Sequence, residues 1–413
     1  MTDVATRTPD ELRALSRLTF DELGSATGGI GGMHRAIADR VFRAVGPSAR
    51  TVEVAHHAIS GGVYAALRGA AGLAGRAADV ALESRSAPPD RALSTTPRGA
   101  AALAAINGLI GDELERQGSE LHQPMAVRIR GRVVAPERDA LARAFPAATP
   151  RLAVFVHGLM ETEFAWRLGA RETGETYGTR LARDLGYTPV YLRYNTGRHV
   201  SENGRSLAEA LEAVVAAWPV EVETIALIGH SMGGLVARSA CYRASEDGAA
   251  WVRHVRHVVS LGTPHMGAPL EQAVHVAAAA LSAVPETRPF GAFLRRRSAG
   301  IRDLRQGSLV DEDWQGRDPD ALRAAACREV PLLDGATHCF VAATVTRSAR
   351  HPVGRLIGDT LVLMPSASGR SRTRRIPFRD EDGLHVGGTH HLALLNHQAV
   401  YERLSAWLSS ACS

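Results

Sequence analysis

From about residue 150 to the C-terminus, short apolar runs alternate with helix-patterned segments, and this alternation is the feature that most constrains the fold. Five apolar runs are each long enough for one strand buried on both faces: RLAVFVHGL, TPVYLRYN, TIALIGH, VRHVVSLGTP and HCFVAATVT. Helical patterns such as SLAEALEAVVAAW and GGLVARSACYRA separate them, and HQAVYERLSAWL closes the series. The sequence therefore predicts an α/β fold, with a mainly parallel sheet and helices on both faces.

The region ahead of this alternation has a different composition and predicts a separate unit. Residues 1–122 are rich in Ala and Gly and follow helical spacing. The last helix predicted there has one apolar face, made of Leu103, Ile106, Leu109, Ile110 and Leu114. From Met125 the period changes, and MAVRIRGRVV predicts a β-hairpin with its turn near Gly131. We therefore predict an all-helical N-terminal extension over 1–122 and a main domain over 123–413.

One connection between predicted strands is too long for a simple crossover. Roughly 70 residues separate the strand that ends at Pro264 from the one that starts near His338, whereas a parallel crossover needs only about a dozen. Within it, 271–284 and 290–304 follow helical patterns. Surplus helices at the C-terminal edge of a sheet can cover whatever binds there. We therefore predict a helical lid insertion over about 266–337.

Composition excludes several functional classes. The chain has 413 residues, a formal net charge of +5 and 45% hydrophobic residues, which is ordinary for a folded protein. Its 48 basic residues are nearly balanced by 43 acidic ones and form no long stripe interleaved with aromatic residues, which argues against nucleic-acid binding. The four cysteines have no metal-site spacing. No stretch of about 18 residues lacks charge, so no membrane span is predicted.

The N-terminal sequence predicts a cytoplasmic protein. Acidic residues occur early in MTDVATRTPDELRALSRL and no apolar core follows, unlike in a secretory signal. Free thiols are then the expectation, with a Cys327–Cys339 disulfide as the alternative. Peripheral membrane contact stays open, through an interfacial helix in 51–82 or through the arginine runs 295–297 and 372–375. No feature indicates an oligomeric state.

The stretch ALIGHSMGGLV places Ser231 between Gly229 and Gly233, where a predicted strand meets a predicted helix. Gly-X-Ser-X-Gly at such a junction is a nucleophile elbow. The residues two before and two after the serine crowd each other in so tight a turn, and glycine avoids the Cβ clash. The turn lifts the hydroxyl into a cleft that also receives the positive end of the helix dipole. The alternative is a tight turn without chemistry.

A serine nucleophile needs a general base and an acid that orients the base. With an elbow of this kind, the acid and then the histidine follow the serine along the chain. Asp359, in LIGDTLVL, comes after the last long strand, and His391 lies in a glycine-rich loop before the final helix. The predicted triad is therefore Ser231, Asp359 and His391. The alternatives are His390 as base and, in a charged segment that predicts a solvated loop, Asp380 or Asp382 as acid.

The developing oxyanion needs hydrogen-bond donors that are already in position. VFVHGLM ends a predicted strand at His157, and the N–H groups of Leu159 and Met232 are the predicted donors. His157 and His230 are predicted to hold loops by hydrogen bonds rather than to react. Four apolar residues are candidates for the acyl site, with burial in the core as an equal alternative: Leu159, Met160, Phe164 and Trp166.

Taken together, VFVHGLM, LIGHSMGGLV, SLGTPHMGAP, GDTLV and GTHHLALLNH resemble the α/β-hydrolase lipases. The nearest branch groups bacterial triacylglycerol lipases with GPI inositol-deacylase-like proteins. The resemblance covers Met125 to the C-terminus and implies the α/β-hydrolase fold with a lid after GTPHMGAP. It also implies roles for Ser231 as nucleophile, Asp359 as acid, His391 (three residues after Gly388) as base, and Leu159 and Met232 as oxyanion donors. Residues 1–122 have no counterpart in it.

These features predict a carboxylic ester hydrolase of the lipase or esterase kind. Its expected partner is a small-molecule ester or lipid with an apolar acyl group, cleaved through an acyl-enzyme without cofactor or metal. Acyl transfer to an alcohol on the same triad is one alternative. The other is a non-catalytic interaction protein that keeps the hydrolase fold.

Overall fold

The structure of the chain is a computed structural model, which describes residues 92–268, 297–319, 321, 326–371 and 374–409, and four single residues before them. The strands of this described part are β1 (Ala126–Ile129), β2 (Arg132–Val134), β3 (Arg151–Val156), β4 (Thr188–Arg193), β5 (Thr224–His230), β6 (Val255–Leu261), β7 (Thr337–Thr344) and β8 (Gly383–Gly387). Its α-helices are α1 (Pro97–Arg116), α2 (Arg138–Ala144), α3 (Ala170–Thr173), α4 (Tyr177–Leu185), α5 (Val200–Ala217), α6 (Met232–Glu246), α7 (Ala299–Asp303), α8 (Pro352–Ile357), α9 (Met364–Ala367) and α10 (Gln398–Ser409).

All eight strands belong to one sheet, in the order β2-β1-β4-β3-β5-β6-β7-β8. The hairpin strand β1 pairs antiparallel with β2 and β4, whereas the strands from β4 to β8 pair in parallel. The predicted hairpin and parallel sheet are therefore confirmed. The carboxyl ends of the parallel strands share one edge, where ligands bind in open α/β sheets.

Two separate cores cover the two faces of the sheet, because alternate side chains of a strand point to opposite faces. The core under α5 and α6 receives from β3 and β5 the side chains of Leu152, Val154, Ile225 and Leu227. The core under α4 and α10 receives from the same strands Ala153, Phe155, Ala226 and Ile228. Helices on both faces bury these strands completely, which accounts for their continuous apolar runs. This is the α/β-hydrolase architecture that the sequence motifs predicted.

Five elements were not predicted: α2, α3, α8, α9 and β8. The last of these begins at Gly383 and ends at Gly387, and it pairs in parallel with β7. A Cβ on Gly383 would lie 2.4 Å from the ring of Phe340, so the strand approaches that ring more closely than any side chain allows. Glycine usually indicates a turn, but here it permits close packing within the sheet. The first residues of the predicted glycine-rich loop before the final helix therefore belong to β8, and the loop begins after Gly387.

The helix predicted at the end of the N-terminal extension is α1. Its cap is Thr96, whose side chain accepts a hydrogen bond from Gly99, and proline occupies its first position. Four of the five residues predicted for its apolar face, Leu103, Ile106, Ile110 and Leu114, pack in one cluster, but the prediction is wrong for Leu109, which is 49% exposed. Ile110 has φ −140° and ψ 22°, which kinks the helix. The other helices predicted in residues 1–91 lie outside the described residues, and the domain boundary stays a prediction.

The described part of the predicted lid insertion is packed against the main domain. Ser298 caps α7 and donates a hydrogen bond to the Gly108 carbonyl of α1 at 2.5 Å. Asp303 is buried and accepts a hydrogen bond from the Val200 N–H, at the start of α5, at 2.7 Å. The helix predicted over 271–284 lies outside the described residues. The function of this insertion as a lid stays a prediction.

No disulfide joins the three cysteines that lie in the described residues. Cys241 and Cys339 are buried, and Cys327 is partly buried. The alternative of a Cys327–Cys339 disulfide is therefore wrong for this structure, and Cys412 lies outside the described residues. Among the described helices, none combines the length and the apolar character that crossing a membrane requires.

Candidate active site

Ser231 forms a strained turn between β5 and α6. Its φ of 52° and ψ of −122° are unfavourable for a residue with a Cβ. Its N–H donates a hydrogen bond to the Leu261 carbonyl at 2.8 Å, which ties the turn to the end of β6. A Cβ on Gly233 would lie 2.1 Å from the Val156 carbonyl oxygen, and one on Gly229 would lie 2.4 Å from an amide nitrogen of α6. Both glycines of the elbow are therefore required by close contact.

His391 and Asp359 form a buried hydrogen-bonded pair. His391 Nδ1 lies 2.7 Å from Asp359 Oδ2, and the His391 N–H donates to the Asp359 carbonyl at 2.9 Å. Asp359 Oδ1 accepts hydrogen bonds from the N–H groups of Leu361 and Val362, at 3.0 and 2.8 Å. The two side chains are 3% and 1% exposed. Because a carboxylate only accepts, Nδ1 carries the proton and Nε2 is left to accept one.

The serine and the histidine are held by consecutive residues at the end of β6. Leu261 accepts the hydrogen bond from the Ser231 N–H. A Cβ on Gly262 would lie 3.1 Å from Cε1 and 3.2 Å from Nδ1 of His391, so the imidazole packs directly against that glycine. The rings of His230 and His391 are 4.7 Å apart between centroids. The Nε2 atom of His391 is buried and has no hydrogen-bond partner among the described residues, so it is available to accept a proton from a nucleophile.

The structure separates the alternatives for the base and the acid. His390 is exposed, and it is His391 that pairs with Asp359. Asp380 and Asp382 lie in the charged segment before β8, each within ion-pair distance of an arginine. The predicted solvated loop is wrong for Asp382, which is buried at the start of that strand.

The loop after β3 passes directly over the nucleophile. A Cβ on Gly158 would lie 3.0 Å from the Cβ of Ser231, so this glycine allows the loop to approach the serine. The Gly158 N–H donates to Glu161 Oε2 at 2.8 Å, which closes the loop on itself. Residues 157–161 are called the oxyanion loop below.

The amide groups next to Ser231 differ in whether they are engaged. The Met160 N–H donates to Thr196 Oγ1 at 3.2 Å, and Met160 has a φ of 58°. No hydrogen bond within the described part of the chain uses the N–H of Leu159 or that of Met232, the first residue of α6. The N–H groups of the two predicted oxyanion donors are therefore not engaged elsewhere in the described part of the chain.

His157 holds the start of the oxyanion loop. Its Nδ1 donates to the Gly158 carbonyl at 2.9 Å, and its Nε2 accepts from the Tyr194 N–H at 3.3 Å. The Tyr194 hydroxyl donates in turn to the His157 carbonyl at 2.8 Å, and the two rings stack. Complete burial lowers the pKa of His157 to about 4, so the ring is neutral at pH 7. His157 therefore fixes the loop, as its sequence context predicted.

His230, the residue before the nucleophile, forms an ion pair with Glu161. Its Nδ1 lies 2.9 and 3.0 Å from the two carboxylate oxygens. Burial alone would lower the pKa of His230, but the Glu161 carboxylate outweighs it and the pKa is raised. Burial would likewise raise the pKa of Glu161, but His230 and the Gly158 N–H hold it below its usual value. Sequence reasoning missed Glu161, because a single acid in a loop has no pattern.

The four candidates for the acyl site occupy different environments. Trp166 belongs to the core, where its indole packs edge-on against the Phe155 ring with centroids 4.8 Å apart. For this residue the core alternative is correct. Leu159 is half-buried against the core under α5 and α6. Met160 lies against α1, since a Cβ on Gly108 would be 2.3 Å from its Cγ. Phe164 is half-buried below the guanidinium of Arg167.

The comparison with known families agrees with the resemblance in the motifs. The sequence model of a family described as PGAP1-like alpha/beta domain matches residues 149–291, from β3 through the elbow and β6 into the insertion. No curated protein matches the chain. Together with the strand order, the family match confirms a resemblance to the α/β-hydrolase lipases.

Solved structures with a similar fold include three hydrolases of different kinds. The mature lipase BlEst2 of Bacillus licheniformis is 19% identical, with 64% of this chain and 93% of that chain covered and a TM-score of 0.41. An esterase of Pyrobaculum calidifontis is 17% identical over 64% and 77% of the chains, with a TM-score of 0.34. RedJ, a thioesterase from the prodiginine pathway of Streptomyces coelicolor, is 18% identical over 64% and 91%, with a TM-score of 0.32.

The described residues contain no group of three or more His, Cys, Asp or Glu side chains arranged to hold a metal ion.

Proposed function

We propose that this chain is a serine hydrolase that cleaves carboxylic esters with apolar, lipid-like acyl groups. The observation that carries the proposal is the buried hydrogen bond between His391 Nδ1 and Asp359, 2.7 Å long, next to a serine in a strained elbow. This is the arrangement of a base with its orienting acid beside a nucleophile.

In the proposed reaction, Ser231 Oγ attacks the ester carbonyl carbon while His391 Nε2 takes the hydroxyl proton. The negative oxygen accepts hydrogen bonds from the N–H groups of Leu159 and Met232. The C–O bond to the alcohol then breaks, and His391 returns its proton to the leaving oxygen. Water attacks the acyl-enzyme with His391 again as base, which releases the acid and restores Ser231. Asp359 stays ionised, keeps the imidazole in the required tautomer and stabilises the imidazolium.

The proposed preference for lipid-like substrates is supported by the surface around the Asp359 loop. Nine large hydrophobic side chains are exposed in the described ranges, and five of them lie in this neighbourhood: Val353, Leu356, Ile357, Leu361 and Leu392. Leu356 alone is 79% exposed. We call these five the α8 patch. Leu361 follows Asp359 by two residues and Leu392 follows His391 directly, so the patch continues to the candidate site. An apolar surface of this kind indicates an apolar partner.

The charges around the α8 patch support peripheral contact with an anionic lipid surface. Arg347, Arg350 and Arg355 are exposed on the same segment. The one acidic residue between positions 347 and 361, Asp359, is buried. Exposed arginine beside apolar side chains is the combination that binds anionic membranes from one side. The proposal therefore includes a cytoplasmic protein that contacts a membrane at its surface.

The first experiment measures hydrolysis of p-nitrophenyl esters from acetate to palmitate by the purified wild type and by Ser231→Ala. We expect the variant to lose activity by at least about 10³-fold. A preference for the longer acyl chains would support the lipid-like substrate, whereas a preference for acetate would restrict the proposal to short esters. Absence of hydrolysis in both proteins, together with absence of fluorophosphonate labelling of Ser231, would refute the proposal in favour of a non-catalytic interaction protein.

A variant of the same assay separates hydrolysis from acyl transfer. An alcohol acceptor is added, and the products are separated by chromatography. Free acid as the main product supports hydrolysis. A new ester formed in preference to the acid would instead assign the chain as an acyltransferase on the same residues.

The membrane contact is tested by sedimentation with vesicles. Wild type is expected to bind vesicles that contain phosphatidylglycerol more strongly than vesicles of phosphatidylcholine alone, and Leu356→Ser to bind less of both. The matched control is Val220→Ser, because Val220 is exposed outside the α8 patch. Equal binding by the two variants would contradict this use of the patch. Self-association that Leu356→Ser abolishes would assign the patch to a second copy of the chain instead.

A further inference from the structure

We propose that the Glu161–His230 ion pair is a positioning device that holds three segments in one fixed arrangement. They are the oxyanion loop, β5 (the nucleophile strand) and residues 388–391 (the base loop). The inference rests on the proposed function and adds two residues to the site. Neither residue is proposed to react with the substrate. Both are proposed to act through Gly158, Ser231 and His391, which they hold in place.

The pair makes one contact with each of three chain segments. On the side of the oxyanion loop, Glu161 Oε2 accepts the hydrogen bond from the Gly158 N–H at 2.8 Å. At the nucleophile strand, His230 Nδ1 lies 2.9 and 3.0 Å from the Glu161 oxygens. On the side of the base loop, His230 Nε2 lies 3.4 Å from the carbonyl oxygen of His391. The three segments are the loop after β3, the last residue of β5 and the loop after β8.

These contacts require a charged His230. A carboxylate and a carbonyl oxygen both accept hydrogen bonds, so the imidazole can bind both only when each ring nitrogen carries a proton. His230 is completely buried, and an uncompensated charge there would be costly. The Glu161 carboxylate supplies the compensation. The other charged or titratable groups around the pair are Asp359, which also raises the pKa of His230, together with His391, the neutral His157 and the buried hydroxyl of Tyr194.

The contact with Gly158 determines which amide faces the substrate. Because Glu161 engages the Gly158 N–H, the next amide along the loop, that of Leu159, is the one left free. Loss of the carboxylate would release Gly158 and allow the peptide planes of the loop to rotate. The oxyanion would then lose a fixed donor, an effect that lowers kcat more than it raises KM, since the donor acts chiefly in the transition state.

The contact with His391 gives the pair an influence on the pH profile. In the wild type, loss of the His230 proton at alkaline pH breaks the hydrogen bond to the His391 carbonyl and leaves Glu161 without its counter-charge. Activity is therefore expected to fall on the alkaline side as His230 deprotonates.

The test compares Glu161→Gln with Glu163→Gln in the intact chain. Glutamine at 161 keeps the size of the side chain but lacks the charge that His230 needs. Glu163 is the matched control, because it is a buried, ion-paired glutamate two residues further on, whose partner is Arg193 rather than His230. We expect Glu161→Gln to lower kcat by about 10- to 100-fold, with KM within about twofold, and to change the alkaline side of the pH profile. Glu163→Gln is expected to lower the melting temperature and to leave kcat and the pH profile as in the wild type.

A second measurement keeps this inference separate from the proposed function. The ring nitrogens of His230 are followed by NMR in the wild type and in Glu161→Gln, which needs no substrate. A doubly protonated His230 at pH 7 that becomes neutral in the variant supports the ion pair even in a protein without esterase activity. A neutral His230 in the wild type overturns the inference, as does a Glu161→Gln enzyme whose kcat and pH profile match those of the wild type.

Discussion

Glu163 and Arg193 are joined by two parallel hydrogen bonds inside the protein. Arg193 Nε and one terminal nitrogen each donate to a different Glu163 oxygen at 2.7 Å, and the side chains are 2% and 5% exposed. The other terminal nitrogen, Nη1, donates to the Ser94 carbonyl at 2.6 Å. One guanidinium thus connects the end of β4, the chain beyond the oxyanion loop and the segment before α1.

The first prediction concerns this ion pair. Arg193→Met leaves the Glu163 carboxylate buried without a counter-charge, and we expect the free energy of unfolding to fall by about 3–5 kcal/mol, as measured by urea denaturation. Replacing both residues, as Arg193→Met with Glu163→Met, removes both charges and is expected to recover part of that loss. A double variant no more stable than Arg193→Met would contradict this explanation.

The second prediction concerns Asp359. Asp359→Asn preserves the size of the side chain but replaces a charged acceptor by an amide that can also donate, which allows the wrong tautomer of His391. We expect kcat to fall by about 10³- to 10⁴-fold, with little change in KM. Asp382→Asn is the control, because that carboxylate pairs with an arginine instead. Equal activity of the two variants would show that Asp359 does not orient the base.

The third prediction concerns the glycines of the elbow. In Gly233→Ala the new methyl group meets the Val156 carbonyl at 2.1 Å, and backbone cannot move as a side chain can. We expect loss of soluble protein or a fall in stability of more than about 3 kcal/mol. In Gly248→Ala nothing lies within 4 Å, and only the positive φ of 67° opposes the change. That control is expected to cost about 1 kcal/mol by thermal or urea unfolding. A Gly233→Ala protein as stable as the control would refute the steric argument.

The fourth prediction concerns stability in acid. Burial lowers the pKa of His157 to about 4 and that of His338 to about 3. In the unfolded chain both histidines have a pKa of about 6.5. Between this pKa and the lower pKa of the folded state, the unfolded chain binds more protons, so stability is lost as the pH falls. Each histidine is expected to contribute about 2 kcal/mol of this loss between pH 7 and pH 5.

Urea denaturation at pH 7 and pH 5 measures this loss directly. His338 is the residue to replace, because it lies away from the candidate site and its Nε2 accepts a single hydrogen bond, from the Leu333 N–H at 2.9 Å. His338→Gln retains an acceptor but cannot titrate, and we expect it to reduce the difference between the two pH values by about 2 kcal/mol. An unchanged difference would mean that His338 is protonated in the folded protein.

The parts of the fold that the sequence predicted are those controlled by one dominant local effect. Strands buried on both faces need continuous apolar runs, so β3, β5 and β6 could be located from RLAVFV, TIALIG and VRHVVSL. The C-terminal helix α10 buries the predicted face of Val400, Leu404, Trp407 and Leu408. The elbow leaves no room for a Cβ at two positions, and the glycines at both of them are visible in the sequence.

What could not be predicted depends on contacts between distant segments. Gly383 of β8 is required by the ring of Phe340, more than 40 positions earlier in the chain, and only the folded protein brings the two together. Leu109 is exposed although the other four residues of its predicted face are packed together, and the helical spacing does not indicate this difference. At the candidate site, the order of Asp359 and His391 could be predicted, but the Glu161–His230 pair could not. Its two residues lie in different loops, and neither belongs to a repeating pattern.

The close packing of α1 against the main domain limits where the chain can be shortened. Two glycines of that helix touch the main domain: a Cβ on Gly108 would overlap Met160, and one on Gly111 would lie 1.9 Å from the Asn195 amide oxygen. The Asn195 side chain also donates to the Gly111 carbonyl at 2.8 Å. A recombinant fragment that begins at Met125 would therefore lack one wall of the oxyanion loop. Limited proteolysis that cuts the chain between residue 92 and β1 should abolish the proposed activity and destabilise the fold.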